Sequence, residues 1–367
     1  MATLDFTSAL YLGFTHPSVS LPPWRALTLG RPGALAEPPG AGQVAAGLAR
    51  LTGAEAGLLF PSTLHLFRDL FAAVAAKSAV LFMDAQAYPI ARWGAEGVRL
   101  NGTACETYPH HDADTLTRKA RRAFRAGLRP IIVTDGLCPS CGRLAPLPDL
   151  ARAAAEYGGQ LIVDDTQALG IIGTPACKST PLGQGGGGTL AWYGLRGPHI
   201  YAGSSLAKGF GAPLAVLLGG KDTVGLIARE GDSRVHTSPP SVATIAAAGA
   251  ALTANATEGD LLRARLARRI EQLRQGLVRI GARVLSALPL PVQNIALPSP
   301  QIARDVLVAL DSRGIRALVT KTCGSGVSLS ILLTAQHAAV HVSRLIDALA
   351  AVLQPETHAD RMRIVMS

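Results

Sequence analysis

Charge is scarce in this 367-residue chain: 16% of residues are charged against 48% apolar, a balance that excludes a disordered polypeptide and calls for a large buried core. Long apolar runs are missing as well. The least polar stretch, Ser241–Ala256, is built largely of Ala, Gly and Thr and falls short of the roughly 20 strongly apolar residues that cross a bilayer, so a buried helix is expected there and no membrane span. The opening MATLDFTSALYLG has no basic segment ahead of an apolar one, so no secretory signal is expected and the location expected is the cytoplasm. Cysteine is sparse. Cys138 and Cys141 form a CxxC that could be a redox pair or half of a zinc site, but Cys105, Cys177 and Cys323 supply no second pair at ligand spacing, so reduced cysteines lining a loop are expected, and no metal. No internal repeat is found. Gly183–Gly188 (GQGGGG) is not followed by Lys-Ser/Thr, which excludes a nucleotide P-loop and leaves a flexible connector.

The formal net charge is +10. Its basic residues are spread along amphipathic segments such as Leu261–Arg279, the pattern of a solvated helix face, so nucleic acid is not an expected partner. An anionic partner such as coenzyme A or a phosphopantetheine carrier is the alternative use of that charge.

Length suits one large and one small domain. Gly30–Gly42 is dense in Gly and Pro and must be loop. From Val44 onward, helix-like stretches alternate with short runs apolar on both faces, namely Ala79–Met83, Pro130–Thr134, Gln160–Val163 and Leu214–Leu218. These are βα units on a largely parallel sheet, hence an α/β fold. Prolines after Leu288 mark a boundary, followed by a helix over Ile302–Arg313, a strand over Ser328–Leu333 and a helix over Ala338–Leu353. The expected division is an arm and loop over 1–42, a large domain over 43–288 and a small α+β domain over 289–367.

Two short stretches carry chemistry. Leu161–Gly170 (LIVDDTQALG) ends an apolar strand in two carboxylates, and ligands of α/β sheets sit at the carboxyl ends of strands. Taken alone, Asp164–Asp165 is more often a cap or a solvated turn. Ser204–Gly211 (SSLAKGFG) sets Lys208 among small residues before another apolar strand; a lone lysine there is more often exposed. Together they match what a pyridine electron sink needs: a carboxylate for the ring nitrogen, a lysine to form an imine, and hydroxyls and amides for a phosphate.

Asp164–Gly170 followed about forty residues later by Ser-Ser-Leu-Ala-Lys resembles the D-[DE]-A-H-x-x-G and [ST]-x-x-K motifs of the α-oxoamine synthases. These are pyridoxal 5′-phosphate (PLP) enzymes that condense an amino acid with an acyl thioester. Tyr11–Phe14, Leu51–Phe60 (LTGAEAGLLF), His110-His111-Asp112, Thr134–Leu147 (TDGLCPSCGRLAPL) and Leu333–His337 (LTAQH) extend the resemblance over nearly the whole chain. It implies fold type I, with a mostly parallel seven-stranded sheet flanked by helices and a small α+β domain. It further implies Lys208 as the imine lysine and Asp164 as partner of the pyridinium nitrogen. Ser205, Ser62, Thr63 and Leu64 would form the phosphate cup at a helix N-terminus. Thr237 and Ser238 would reach the phosphate of a neighbouring subunit, and so a homodimer with shared active sites is implied. Asp135, Ser330 and His337 fall at positions near the substrate.

Two departures from the family's pattern touch the cofactor, and four fall on one side of it, toward the substrate. Tyr88 takes the place of the histidine that stacks on the cofactor; it can still stack but loses the proton-transfer capacity of an imidazole. Gln167 replaces the histidine at the cofactor's 3′-oxygen. Ser328 and Ser330 stand where the family has arginines, the second of which grips the substrate carboxylate, and a hydroxyl cannot replace a bidentate guanidinium. Ala9 or Leu10 and Pro139 replace two further polar contacts. Three functions follow as expectations: a carbon–carbon bond-forming acyltransferase with an unusual amine donor, a PLP aminotransferase, decarboxylase or lyase on a non-standard amine, or a non-catalytic PLP-fold subunit.

Overall fold

The computed structural model describes residues 3–16, 27–75, 78–175 and 179–353; Cys177 lies outside them. The chain divides into two compact units, one of Leu12–Cys138 and Leu144–Leu261, the other of Met1–Tyr11, Pro139–Arg143 and Leu262–Ser367.

The first unit is built on a seven-stranded sheet. Its strands are β1 (Ala56–Phe60), β2 (Ala79–Asp84), β3 (Ala104–Tyr108), β4 (Arg129–Asp135), β5 (Gln160–Asp164), β6 (Ile200–Ser205) and β7 (Ala215–Gly219), in the spatial order β1-β7-β6-β5-β4-β2-β3. From β6 to β3 all pairs are parallel; β7 runs antiparallel to both β6 and β1. The apolar runs read in the sequence are these strands because both faces must be covered. In β2, Val80 and Phe82 pack into one buried cluster, and Ala79, Leu81 and Met83 into another on the opposite face. Helices supply the partners. Leu66, Phe67, Leu70 and Phe71 of helix Thr63–Val74 join the second cluster, and Leu147, Leu150, Ala151 and Ala154 of helix Leu147–Glu156 join the first. The glycine-rich 183–188 stretch, expected as a flexible connector, is tied by bridges from Gln184 to Thr174 and from Gly187 to Leu169.

The second unit carries a three-stranded antiparallel sheet in which β10 (Val327–Leu332) lies between β8 (Val292–Leu297) and β9 (Leu318–Lys321). Helices Pro300–Asp311 and Ala339–Leu353 accompany it. The N-terminal pair Leu4–Asp5 adds a parallel partner to Ile315–Arg316, which draws part of the arm into this unit. The two helices expected over 241–256 and 261–279 are a single 38-residue helix, Val242–Arg279. The division falls at Leu262 inside it, earlier than the prolines after Leu288 suggest. The physical reason is burial: Leu266, Ile270, Leu273 and Leu277 are 0% exposed. Gln272 also donates to the Ala339 carbonyl and the Ser343 hydroxyl, so this half of the helix belongs with Ala339–Leu353. Among the described residues no helix is long and apolar enough to cross a membrane.

Candidate active site

Strand register gathers the expected residues at one edge of the large sheet. Asp135 ends β4 opposite Asp164, which ends β5 opposite Gly203 of β6. Ser205 ends β6 opposite Ala215, which pairs in turn with Phe60 at the end of β1. Ser62, two residues past Phe60, and Lys208, three past Ser205, therefore emerge on the same edge as the two acids. This is the carboxyl edge of the parallel strands, where α/β sheets bind ligands.

The adjacent acids Asp164 and Asp165 separate in role. Asp165 turns inward, where its carboxylate accepts from the Thr189 backbone N–H (3.0 Å) and hydroxyl (2.5 Å), and burial pushes its pKa up to about 7; it is a structural acid. Asp164 ends the strand within electrostatic reach of Lys208. Burial raises its pKa, opposed by hydrogen bonding from Thr166, including its N–H at 3.0 Å, and by the Lys208 ammonium. Asp135 is raised well above the ordinary carboxylate range by burial first and by the charge of Asp164 second. Lys208 is pulled below its ordinary value by burial, with Asp164 and Asp135 pulling it back. A lysine whose burial outweighs the pull of nearby acids holds a larger fraction of neutral amine, the form that attacks a carbonyl.

Why small residues surround this lysine is a matter of close approach. A Cβ on Gly209 would lie 2.4 Å from the Leu169 carbonyl oxygen, and Gly170, at φ +86°, packs against Gly209 and Phe210. The turn after Asp164 and the turn after Ser205 are thereby pressed together. Thr166 binds them: its hydroxyl accepts from the Ser205 N–H at 3.0 Å. Gln167 sits half-buried in the same turn. Ser205 in turn uses its hydroxyl to accept from the Ala207 N–H at 3.3 Å.

Ser62 caps helix Thr63–Val74, and its hydroxyl contacts His65 Nδ1 at 2.8 Å; such a cap is worth about 1 kcal/mol. Thr63 and Leu64 occupy the first turn, whose unpaired N–H groups favour an anion. Tyr88 precedes helix Pro89–Leu100. Its N–H donates to Asp135 Oδ1 at 3.1 Å, and its ring centroid lies 6.0 Å from Lys208 Nζ. Asp135, expected beside the substrate, thus also holds Tyr88 in place. Thr237 closes helix Asp232–His236 by donating to the Ser233 carbonyl at 2.6 Å; Ser238 beside it is exposed. Thr237 shares a groove of about 930 Å³ with Leu64, His65, Trp93 and Leu100.

Ser330 and His337 belong to the second unit. Ser330 is buried in a closed polar network, donating to Asn294 Oδ1 at 2.5 Å and contacting the Thr320 hydroxyl at 2.6 Å. His337 has both nitrogens engaged: Nδ1 accepts from the Thr334 N–H (2.9 Å), which leaves Nε2 to donate to the Asp5 carbonyl (3.0 Å). Its ring stacks on Phe6 at 4.4 Å. Both side chains serve their own unit. Sequence reasoning passed over Thr166 and Asp84. Asp84 ends β2 as Asp164 ends β5, a signal present in the sequence, and its carboxylate accepts from His110, His111 and Gln86.

The residues at the sheet edge fit PLP. A carboxylate raised by burial is relieved by a cationic ring nitrogen, the turn of Ser62–Leu64 offers donors to a phosphate, and Lys208 lies on the same sheet edge, close enough to Asp164 to feel its charge. These features define a fold type I PLP enzyme. The family model for class I and II aminotransferases matches residues 35–290. An 8-amino-7-oxononanoate synthase of Burkholderia thailandensis is 31% identical over 294 residues, covering 77% of this chain and 68% of that protein. One from Ralstonia pickettii is 32% identical over 271 residues, 71% of this chain and 62% of its own length, so that this chain spans less than two thirds of it. A serine palmitoyltransferase of S. paucimobilis, solved with PLP-bound myriocin, superposes with a TM-score of 0.83 at 17% identity over 95% of this chain and 87% of its own. An 8-amino-7-oxononanoate synthase of Francisella tularensis gives 0.74 at 17% identity over 96% and 98%. The chain belongs to the class I and II aminotransferase family, in its α-oxoamine synthase branch, whose cofactor is PLP.

Proposed function

We propose that this protein is a divergent α-oxoamine synthase: an acyltransferase that joins a carbon derived from an amine substrate to the acyl group of a thioester, working as a homodimer with shared active sites. The observation that carries the reading is the unequal change. Asp164, Ser205, Lys208 and the Ser62 turn keep the family's pattern, while Ser330 replaces the arginine that grips a substrate carboxylate. PLP supplies the electron sink that stabilises a carbanion next to nitrogen. Around it, Lys208 takes the role of holding the cofactor and moving the substrate proton. Asp164 keeps the ring nitrogen charged, and the Tyr88 ring covers the cofactor face. Thr237 and Ser238 are assigned to the partner subunit's phosphate. With no guanidinium at position 330, the donor is an amine whose carboxylate is esterified, carrier-bound or absent.

The test is a matrix of amines with and without acyl-coenzyme A or acyl-carrier thioesters. Free thiol released in step with a new carbon–carbon bonded product supports the proposal. Keto acid, ammonia or carbon dioxide released without thioester replaces it with a transaminase, lyase or decarboxylase reading. A purified protein with no visible band removable by borohydride points to the non-catalytic subunit.

A further inference from the structure

One helix of the first unit ties together two features that the proposed function puts in different active sites. Helix Thr63–Val74 begins at the Ser62–Leu64 turn, which is assigned to the phosphate of its own subunit. Asp69 lies about two turns further along the same helix and is buried, 1% exposed. Both of its oxygens are given to Ser233: Oδ1 accepts the Ser233 N–H at 3.0 Å and Oδ2 the Ser233 hydroxyl at 2.6 Å. Gly231 permits this approach, since a Cβ there would lie 2.5 Å from Asp69 Oδ2.

Ser233 passes this hold on to Thr237. Its carbonyl accepts both the Thr237 N–H, at 3.1 Å, and the Thr237 hydroxyl, at 2.6 Å. A threonine hydroxyl has one proton to donate, so of the pair assigned to the partner's phosphate it is Ser238, exposed beside it, that presents a hydroxyl outward. A second anchor grips the same short helix, Asp232–His236. Arg234, 3% exposed, donates to the Gly33 carbonyl at 3.0 Å and the Leu59 carbonyl at 3.4 Å, and it pairs with Glu37. The Ala34 N–H donates back to the Arg234 carbonyl at 3.0 Å. A buried carboxylate and a buried guanidinium thus fix a five-residue helix that is too short to hold its own shape.

We propose that Asp69 is a positioning residue for the partner subunit's cofactor: through Ser233 it fixes the Thr237–Ser238 arm that reaches the phosphate bound in the other chain. The proposal rests on the homodimer with shared sites given under the proposed function. Helix Thr63–Val74 then serves two phosphates, its own through Ser62–Leu64 and the partner's through Asp69. Removing the carboxylate leaves the Ser233 N–H and hydroxyl without their buried acceptor, and the arm loses the geometry that a hydrogen bond to a phosphate oxygen demands. Asparagine at this position keeps both contacts: its Oδ1 accepts the Ser233 N–H, and its amide donates to the Ser233 hydroxyl, which turns to accept.

The experiment uses the full-length holoenzyme and hybrid dimers assembled from two differently tagged chains, with PLP as the probe and the borohydride-removable visible band as the readout. Asp69→Ala should weaken PLP affinity about 10-fold, and Asp69→Asn should restore it. The decisive hybrid pairs an unaltered chain with one carrying both Asp69→Ala and Lys208→Ala. Only the unaltered chain can form the imine there, yet its affinity for PLP should fall about 10-fold, because the phosphate it binds meets the altered arm. In the reverse hybrid, with Asp69→Ala on one chain and Lys208→Ala on the other, the one competent site faces an intact arm and should bind PLP as the unaltered dimer does. Ser233→Ala, a milder change that covers the case in which Asp69→Ala does not fold, should give the same pattern with a smaller loss. An unaltered protein that sediments as a monomer, or that shows no removable band, would remove the homodimer reading and this proposal with it. In a dimeric holoenzyme, a loss that stays with the chain carrying Asp69→Ala, or a lowered melting temperature at unchanged PLP affinity, would overturn the proposal alone.

Discussion

Two strand systems in this molecule answer the same question differently. The parallel edge formed by β4, β5 and β6 ends in charged groups whose protonation is disturbed: Asp135 and Asp164 raised, Lys208 lowered, all by burial first. Strand β10 of the other unit presents Ser328 and Ser330 at the family's arginine positions, and its polar groups are quietly satisfied by Asn294 and Thr320. A cluster of disturbed ionisations is the pattern of a reacting site, whereas the single shifts of Asp165 and His337 accompany buried, hydrogen-bonded groups; closed hydrogen bonding is the pattern of a wall. On the proposed function, the charged edge would be the reaction centre and β10 the place where the family's grip on a substrate carboxylate has given way to structure.

The largest effect that sharpens this contrast is at Lys208. Lys208→Ala should lower turnover by on the order of 10³-fold or more and remove the visible band that borohydride abolishes in the unaltered protein. Asp164→Asn comes next, with a loss on the order of 10²-fold and weaker cofactor retention, measured by dialysis followed by absorbance. Asp165→Asn, one residue along, should act differently. It disturbs the contacts to Thr189 and lowers the melting temperature, with the spectrum of bound cofactor unchanged. If Asp165→Asn altered the spectrum as Asp164→Asn does, the division of labour between the two acids would be lost.

Much of that parallel edge was legible in the sequence, because short runs apolar on both faces, each stopped by an acid or followed by a lysine among small residues, leave few other readings. Which of Asp164 and Asp165 lies within electrostatic reach of Lys208 was not legible from pattern alone. Alternation along β5 and the position of Thr189 decide it, and that contact spans 24 residues. The long helix Val242–Arg279 read as two because its first half is small and weakly patterned and its second half strongly amphipathic, so the pattern breaks where the helix does not. The division at Leu262 was hidden for the same reason: prolines announce turns, whereas the packing of Leu266 and Leu273 depends on segments many residues away. Asp84 carries the signature of Asp164, an acid ending an apolar strand, and its pairing with His110 appears only once β2 and β3 are seen side by side.

A smaller effect tests the wall. Ser330→Ala should cost about 1–3 kcal/mol, the penalty of leaving the buried Asn294 oxygen short of its donor, read as a lower denaturation midpoint. Substrate preference should not move. A change in the amine accepted, at unchanged stability, would return Ser330 to the substrate and break the comparison.

The smallest effect concerns His337. Burial holds its pKa below the ordinary value, and the nearby His341 adds to that against the help of the Asp5 carbonyl. The imidazole is neutral in the folded protein, accepting the Thr334 N–H at Nδ1, while in the unfolded chain it titrates near about 6.5. Because the unfolded state binds the proton more readily, stability is full above about pH 6.5 and is lost as pH falls through the lower folded value. His337→Phe keeps the stack on Phe6 but removes the titration, so its melting temperature should decline less between about pH 6.5 and 5 than that of the unaltered protein. Parallel curves would mean that His337 does not titrate differently on folding. Were it instead a substrate-binding group, His337→Phe would raise the KM of the amine while leaving the pH dependence of stability as it was, and the second unit would have to be counted with the disturbed edge.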